Sequence, residues 1–227
     1  MEDNKQYTFY AMLNRLHLIE RWSLMQCRES ENVCEHSYQV ALIVQALYYI
    51  REQKLVECKQ SEIHLDLANL LQMALLHDAT EVITGDLPTP VKYYNPELKQ
   101  AYSLVESIAA NRLIDLLPAK LQPVYLKFIC PEHKTDEQCL ARLFVKAADK
   151  ISALIKCMQE LALGNEEFKQ AEAKTRKRIQ ALKLPEADYF VSHFVPAYAL
   201  SLDDLNKQSL DEESKESSIL KDEYRIK

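Results

Sequence analysis

Apolar residues recur at spacings of three and four along almost the whole chain, and the strict alternation of a half-buried strand is nearly absent. That periodicity predicts helices throughout. A first helix is expected from about Tyr7 to Ile19, with Phe9, Leu13, Leu16 and Ile19 facing inward. A loop through Arg21-Trp22 and Arg28 follows. Glu35 or Ser37 then opens a second helix with the stripe His36, Val40, Ile43 and Leu47. Ser61-Glu62 starts a third helix that runs to about Val82. Between Leu65 and Leu76 it is apolar nearly all round, the mark of a central, buried helix. Leu87-Pro88-Thr89-Pro90 reads as a rigid, extended path, because closely spaced prolines oppose a helix.

Pro96-Glu97 opens a further helix to about Leu117, and a shorter piece spans about Leu121 to Phe128. Asp136-Glu137 begins a long helix to about Leu163, stopped by Gly164-Asn165 in the manner of a C-cap. Another helix runs from Glu166 to Leu182, and an aromatic segment, Tyr189-Phe190 to Phe194, packs back on the bundle. From Asp203 the composition turns to Ser, Glu, Asp and Lys. The expected organisation is one helical domain over 1–205 and a polar, disordered tail over 206–227.

Composition sharpens this picture. The chain has 227 residues and only 2 glycines, so turns needing positive φ are few and a barrel or sandwich is disfavoured. The fold class is all-α, a single-domain helical bundle. Neither Gly85 nor Gly164 has a glycine neighbour at the spacing of a phosphate-cradling loop. A formal net charge of −6 argues against a nucleic-acid polymer as partner. Six scattered cysteines without a C-x-x-C pair read as reduced thiols. The start of the chain is polar and no run reaches the length of a membrane span, so a cytoplasmic protein without membrane attachment is expected.

The chemistry centres on His77-Asp78, adjacent in an otherwise apolar helix. A carboxylate beside an imidazole in such a place is costly unless compensated. A divalent cation is one compensation, and this donor set suits Mn, Fe, Co or Zn; a helix-end charge pair is the other. His36 lies on the apolar stripe of its own helix, where a hydrogen-bonded core histidine is the alternative to a ligand. Asp149 lies opposite the stripe of Phe144, Ala148, Ile151 and Ile155, with Val145, Ser152 and Ala153 as neighbours on a second, partly buried face. Spacing alone does not decide among these readings.

The pattern His…His-Asp…Asp on successive helices resembles the HD-domain metal phosphohydrolases. More specific segments are similar to the bacterial 5′-deoxynucleotidases of that superfamily: Arg21-Trp22, Glu31-Asn32-Val33-x-Glu35-His36-Ser37, His77-Asp78-Ala79-x-Glu81-Val82 and Thr84-Gly85-Asp86-Leu87-Pro88-Thr89-Pro90-Val91-Lys92-Tyr93. Lys146-x-Ala148-Asp149 and Gly164-Asn165-x-Glu167-Phe168 extend the likeness, which covers roughly Phe9 to Leu205. The resemblance implies an HD-type bundle and one divalent ion, Co²⁺ or Mn²⁺ before Zn²⁺ or Fe²⁺, on His36, His77, Asp78 and Asp149. It also implies Glu81 positioning or deprotonating the attacking water, Arg21 clamping phosphate, and Trp22 excluding a 2′-hydroxyl. Asp78, Asp86, Leu87, Pro88 and Thr89 would complete the substrate site, with Asp86 on the 3′-hydroxyl or protonating the leaving oxygen.

The implied activity is hydrolysis of 2′-deoxyribonucleoside 5′-monophosphates with broad base acceptance, by a homodimer. Two rivals stand beside it. Another HD phosphohydrolase, acting on triphosphates or on cyclic or polyphosphorylated nucleotides, needs more cations than the Arg21, Arg28 and Lys92 found near the motifs. A non-catalytic helical protein with a structural metal makes Glu81 irrelevant.

Overall fold

The structure is a computed structural model that describes residues 6–57, 62–92, 94–131 and 134–207, the Thr89 side chain excepted. Cys58, Ser61, Tyr93, Glu132-His133 and the segment 208–227, which holds most of the expected tail, lie outside the described residues. Among the described residues there are helices and no strand, so the fold is all-α. The helices are α1 (Phe9–Asn14), α2 (Val33–Glu52), α3 (Leu67–Leu76), α4 (Glu81–Thr84), α5 (Thr89–Lys92), α6 (Pro96–Ile114), α7 (Gln122–Ile129), α8 (Asp136–Ala162), α9 (Lys169–Gln180) and α10 (Pro185–His193). Three short 3₁₀ pieces punctuate them at Arg15–Leu18, Glu166–Phe168 and Val195–Ala199.

The main core forms where α2 meets α3 and α8, with α10 closing one end. Val40, Ile43, Val44 and Leu47 of α2 interdigitate there with Leu70, Phe144, Ile151 and Ile155. A smaller core joins Phe9 to Ala110, Leu113, Ile114 and Leu117, and it includes Ala79 from the turn after α3. Leu76 packs against both clusters. The His77-Asp78 turn therefore sits at the seam between two cores, gripped by apolar residues on either side. Each fully buried aliphatic or aromatic side chain contributes about 1.5–3 kcal/mol to that grip.

Several boundaries differ from the sequence expectation, each for a local reason. Helix α2 opens at Val33, because Asn32 accepts from Glu35 N at 3.0 Å and Glu35 reaches back to Asn32 N at 3.3 Å. This reciprocal capping box satisfies two orphan donors, and it starts the helix before Glu35. The expected third helix is split. Asp66 caps α3 through Ala68 N, and after Leu76 the chain closes on i+3 acceptors: Ala79 N to Leu76 O at 3.1 Å and Glu81 N to Asp78 O at 3.0 Å. A 3₁₀-like turn keeps nearly the same apolar spacing as an α-helix, which is why the sequence pattern ran through it unbroken. Helix α3 is also not buried all round, since Leu75 is half exposed.

Thr89–Lys92 is a helical turn and not an extended path. Pro88 accepts from Val91 N and Lys92 N, and Pro90 stands in the first turn, where its missing N–H has no partner to lose. The first helix is shorter than expected and ends in the 3₁₀ turn Arg15–Leu18; α10 begins earlier, at Pro185. Residues 202–207 are helical, capped by Ser201, which accepts from Asp204 N. This largely exposed helical turn extends past the composition change at Asp203. Gly164 at φ +79° closes α8 with Asn165 N to Glu160 O and Gly164 N to Leu161 O, the paired bonds of a Schellman cap.

Candidate metal centre and active-site cleft

His36 is fully buried on α2, and His77 and Asp78 form the turn after α3. One ligand atom from each of the three lies within 4.8 Å of the other two. Asp78 Oδ2 is the meeting point, 3.1 Å from His77 Nε2, 3.6 Å from His36 Nε2 and 3.4 Å from an Arg21 Nη. Asp149 approaches from α8, its Oδ1 3.4 Å from His36 Nε2. Three separate stretches of chain thus meet at one small volume.

The outer contacts set the tautomers. Ser152 donates its single hydroxyl proton to Gln39, so its oxygen accepts from His36 Nδ1 at 3.0 Å. The Ala74 carbonyl can only accept, so His77 Nδ1 is the donor in that 2.7 Å bond. In the neutral form that a metal ligand requires, each ring then turns an Nε2 lone pair towards the carboxylates. Those two Nε2 atoms are buried and lack a hydrogen-bond partner. Two imidazole lone pairs and two carboxylates facing one another are repulsive by themselves and are the donor set of a divalent ion, so these residues fit a bound metal.

Protons compete for the same place. Burial works against charge on His77, yet the adjacent Asp78 carboxylate outweighs it and pushes the imidazole pKa up to about 9. Burial likewise opposes ionisation of Asp78, but His77 holds its carboxyl down at about 2. Burial is again overcome at Asp149, where contact with His36 holds the carboxyl below the usual range. A metal must therefore displace the His77 proton below pH 9. Metal affinity of the stripped protein is expected to rise about tenfold per pH unit as pH climbs through the neutral range towards about 9, then level off. Chelator competition across that range checks this, and a flat affinity would contradict it.

Beside the metal group opens a cleft of about 620 Å³, whose lining includes Arg21, Trp22, Asp86, Pro88 and Asp149. Leu87 is half-buried between Asp86 and Pro88 and is not among the residues that line it. The Thr89 side chain lies outside the described residues. Burial raises the Asp86 carboxyl pKa, with Arg21 opposing. Glu81 has a buried Oε2 without a hydrogen-bond partner. Burial, then Asp78 and Asp86, push its pKa up to about 9 against the pull of Arg21 and Lys92.

Of the three cations expected near the site, only Arg21 lines the cleft. Lys92 pairs with Glu106 at 2.7 Å and the Arg28 side chain is exposed; neither lines the cleft. Lys150, Lys174 and Arg178 do, from α8 and α9. No local motif marks them, because α9 reaches the cleft only through tertiary packing.

Asp149, Ser152, Lys156 and Glu160 form a polar ladder on α8, and its lower rungs, Lys156 and Glu160, pin the far part of the Arg21-Trp22 loop at Arg28 and Glu29. The fully buried Glu160 accepts from Arg28 N, Glu29 N, Lys156 and Asn165. Burial opposes its charge, but Lys156 and these donors bring its pKa down to about 2. Phe168 packs against the Trp22 ring at 5.3 Å between centroids. The second face of α8, read from the sequence as small or apolar around Asp149, is in fact this ladder.

Comparison with known proteins agrees with the geometry. The chain is 43% identical over 203 residues to a 5′-deoxynucleotidase of Yersinia pestis (strain Pestoides F), spanning 89% of this chain and 98% of that protein. It is equally similar to one from Yersinia pseudotuberculosis serotype O:3. Among solved structures, an HD-domain phosphohydrolase from Listeria innocua superposes with a TM-score of 0.68 at 24% identity, over 92% of this chain and 98% of that one. A cyanophage S-2L HD phosphohydrolase bound to dA and one catalytic Zn²⁺ ion matches with a TM-score of 0.56 at 19% identity, over 85% and 99%. These two likenesses show the shared HD-domain fold. The profile of the 5′-deoxynucleotidase YfbR-like family matches residues 8–198, and the chain belongs to that family.

Proposed function

We propose that this protein is a metal-dependent 5′-nucleotidase that hydrolyses 2′-deoxyribonucleoside 5′-monophosphates to deoxynucleoside and phosphate with broad base acceptance. The observation that carries the reading is the meeting of His36, His77, Asp78 and Arg21, where Arg21 also lines a cleft together with Trp22 and Asp86. His36, His77, Asp78 and Asp149 would hold one divalent ion, Co²⁺ or Mn²⁺ before Zn²⁺ or Fe²⁺. When bound, the ion supplies a Lewis acid that acidifies water and offsets charge developing on the phosphoryl oxygens.

The chain's own groups do the rest. Arg21 has five donors; one goes to Glu31 and one to Asp78, and the remaining N–H groups suit phosphate oxygens. Glu81 takes the proton of the attacking water as its oxygen bonds to phosphorus. Asp86 accepts from the 3′-hydroxyl, and its raised pKa also suits it to protonate the 5′-oxygen as the P–O bond breaks. Pro88 borders the sugar, and Trp22 fills the space that a 2′-hydroxyl would need.

A reducing, cytoplasmic setting belongs to this reading and is supported by five free cysteines among the described residues. No helix among those residues is long and apolar enough to cross a membrane. A homodimer also belongs to it; the exposed Leu104, Val105 and Ile108 of α6 are apolar surface that a second copy would cover.

Phosphate release from dAMP against AMP and from dGMP against GMP, after chelation and after adding back Mn²⁺ or Co²⁺, tests the reading. Metal-dependent release from the deoxy member of each pair is the expected result. Trp22→Ala is expected to lower the deoxy-to-ribo ratio about 10- to 100-fold, the range by which a pocket rejects one added hydroxyl. An unchanged ratio would remove Trp22 as the sugar gate. A second reading draws on Lys150, Lys174 and Arg178 in the cleft; release of pyrophosphate or tripolyphosphate from dATP in the same panel would favour it.

A further inference from the structure

We infer that Glu31 is a positioning residue that sets sugar specificity, by tethering the Trp22 indole and the Arg21 guanidinium to one carboxylate. Glu31 Oε2 accepts from Trp22 Nε1 at 2.6 Å and from Arg21 Nε at 3.3 Å. Its other oxygen stands 3.9 Å from His36 Nδ1. The side chain is only 11% exposed and does not line the cleft. Its charge is therefore directed at the residues that shape the site and not at an incoming phosphate.

The backbone fixes where this carboxylate sits. Arg21 N donates to Glu31 O at 2.8 Å and Val33 N to Ile19 O at 3.0 Å, flanking an isolated antiparallel bridge between Glu20 and Asn32. These bonds clamp the two ends of the 21–31 loop together at the start of α2. Trp22, in contrast, needs an outside hold. It adopts φ +61°, a region that disfavours a residue with a bulky side chain. Phe168 supports one side of its ring, but the indole N–H has a single donor, and that donor is spent on Glu31. Without this bond the ring has no directional restraint to keep it at the sugar. Arg21 depends on the same oxygen: with Nε on Glu31 and one Nη on Asp78, the fork is held in one orientation.

The inference rests on the reading of Trp22 as the sugar gate, and the test separates the two. Trp22 is the only tryptophan, so its emission and its acrylamide quenching report the tether without any turnover. In the metal-loaded enzyme, Glu31→Ala is expected to shift and expose that emission and to lower the deoxy-to-ribo ratio of kcat/KM about tenfold or more, the scale of one charge-assisted hydrogen bond. Glu31→Gln keeps an oxygen for the indole and loses the charge facing Arg21. It should retain the Trp22 spectrum and most of the ratio, while KM rises for both sugars. In a Trp22→Phe background, which has no indole N–H, Glu31→Ala should leave the ratio where Trp22→Phe alone puts it.

A folded Glu31→Ala enzyme with native emission and native ratio would overturn the inference. If that variant does not fold, Glu31→Gln decides, and an unchanged KM for both sugars overturns it. Equal turnover of both sugars by the unaltered enzyme would remove the gate, and the emission of Trp22 would then judge the tether alone.

Discussion

Asp78→Asn is expected to reduce phosphate release by about 10³-fold or more, because a metal site supplies several kcal/mol of charge stabilisation and each 1.36 kcal/mol is worth tenfold in rate. One oxygen of Asp78 faces both histidine Nε2 atoms and the Arg21 guanidinium. The amide has nearly the same shape but removes the negative charge that gathers these groups. If its nitrogen takes the Oδ2 place, it points N–H at Arg21. The fold should survive, since the turn is anchored by Ala79 in the smaller core and by backbone bonds that the side chain does not make. Bound metal per chain and phosphate release, measured on the same preparation, check this. A variant that keeps one ion and works within tenfold of the parent would move the catalytic centre away from Asp78.

Glu81→Gln is expected to leave metal content and thermal stability in place and to lower kcat by about 10²- to 10⁴-fold, the usual contribution of a positioned general base. The carboxyl is buried without a hydrogen-bond partner for Oε2 and sits among Asp78, Asp86 and Arg21. These surroundings raise its pKa to about 9 in the metal-free chain, burial first and the two aspartates next. The nearby charge of a bound cation acts in the opposite direction, lowering the pKa so that the carboxylate can serve as a base at neutral pH. The pH–rate profile of the parent should therefore carry an ascending limb that the Gln variant lacks. A Gln variant turning over within about threefold of the parent, well short of the loss expected for a general base, would deny Glu81 its role, whereas no turnover by the parent with any metal would favour a purely structural metal.

Much of the scaffold was legible from local physics. The long α8 followed from apolar spacing bounded by Asp136-Glu137 and by Gly164, and the structure adds the reason for its end, a Schellman cap around φ +79°. Where the reading slipped, two local preferences shared one pattern. The turn at 77–80 keeps helical spacing while its hydrogen bonds shorten to i+3. Pro90 forbids a helix interior but suits a helix start, so Thr89–Lys92 became a helical turn. The start of α2 was readable in Asn32-x-x-Glu35 and was missed in favour of the later polar residues.

The site divides along the same line. His36, His77 and Asp78 could be singled out from the sequence because polar groups on apolar faces are costly and need a partner. Apolar periodicity did not single out Asp149, which lies opposite the main stripe of α8, and only the resemblance named it. Glu31 stood in a quoted motif but with no role attached, Ser152 carried no signal beyond its neighbourhood to Asp149, and Lys150, Lys174 and Arg178 carried none. By itself the sequence determined the all-helical class, most helix positions and the residue types able to hold a metal, since periodicity and caps act within a few residues of the chain. Only the tertiary structure decided which nitrogen of each histidine faces the carboxylates, which cations line the cleft and what holds Trp22, because those depend on contacts between segments far apart in sequence.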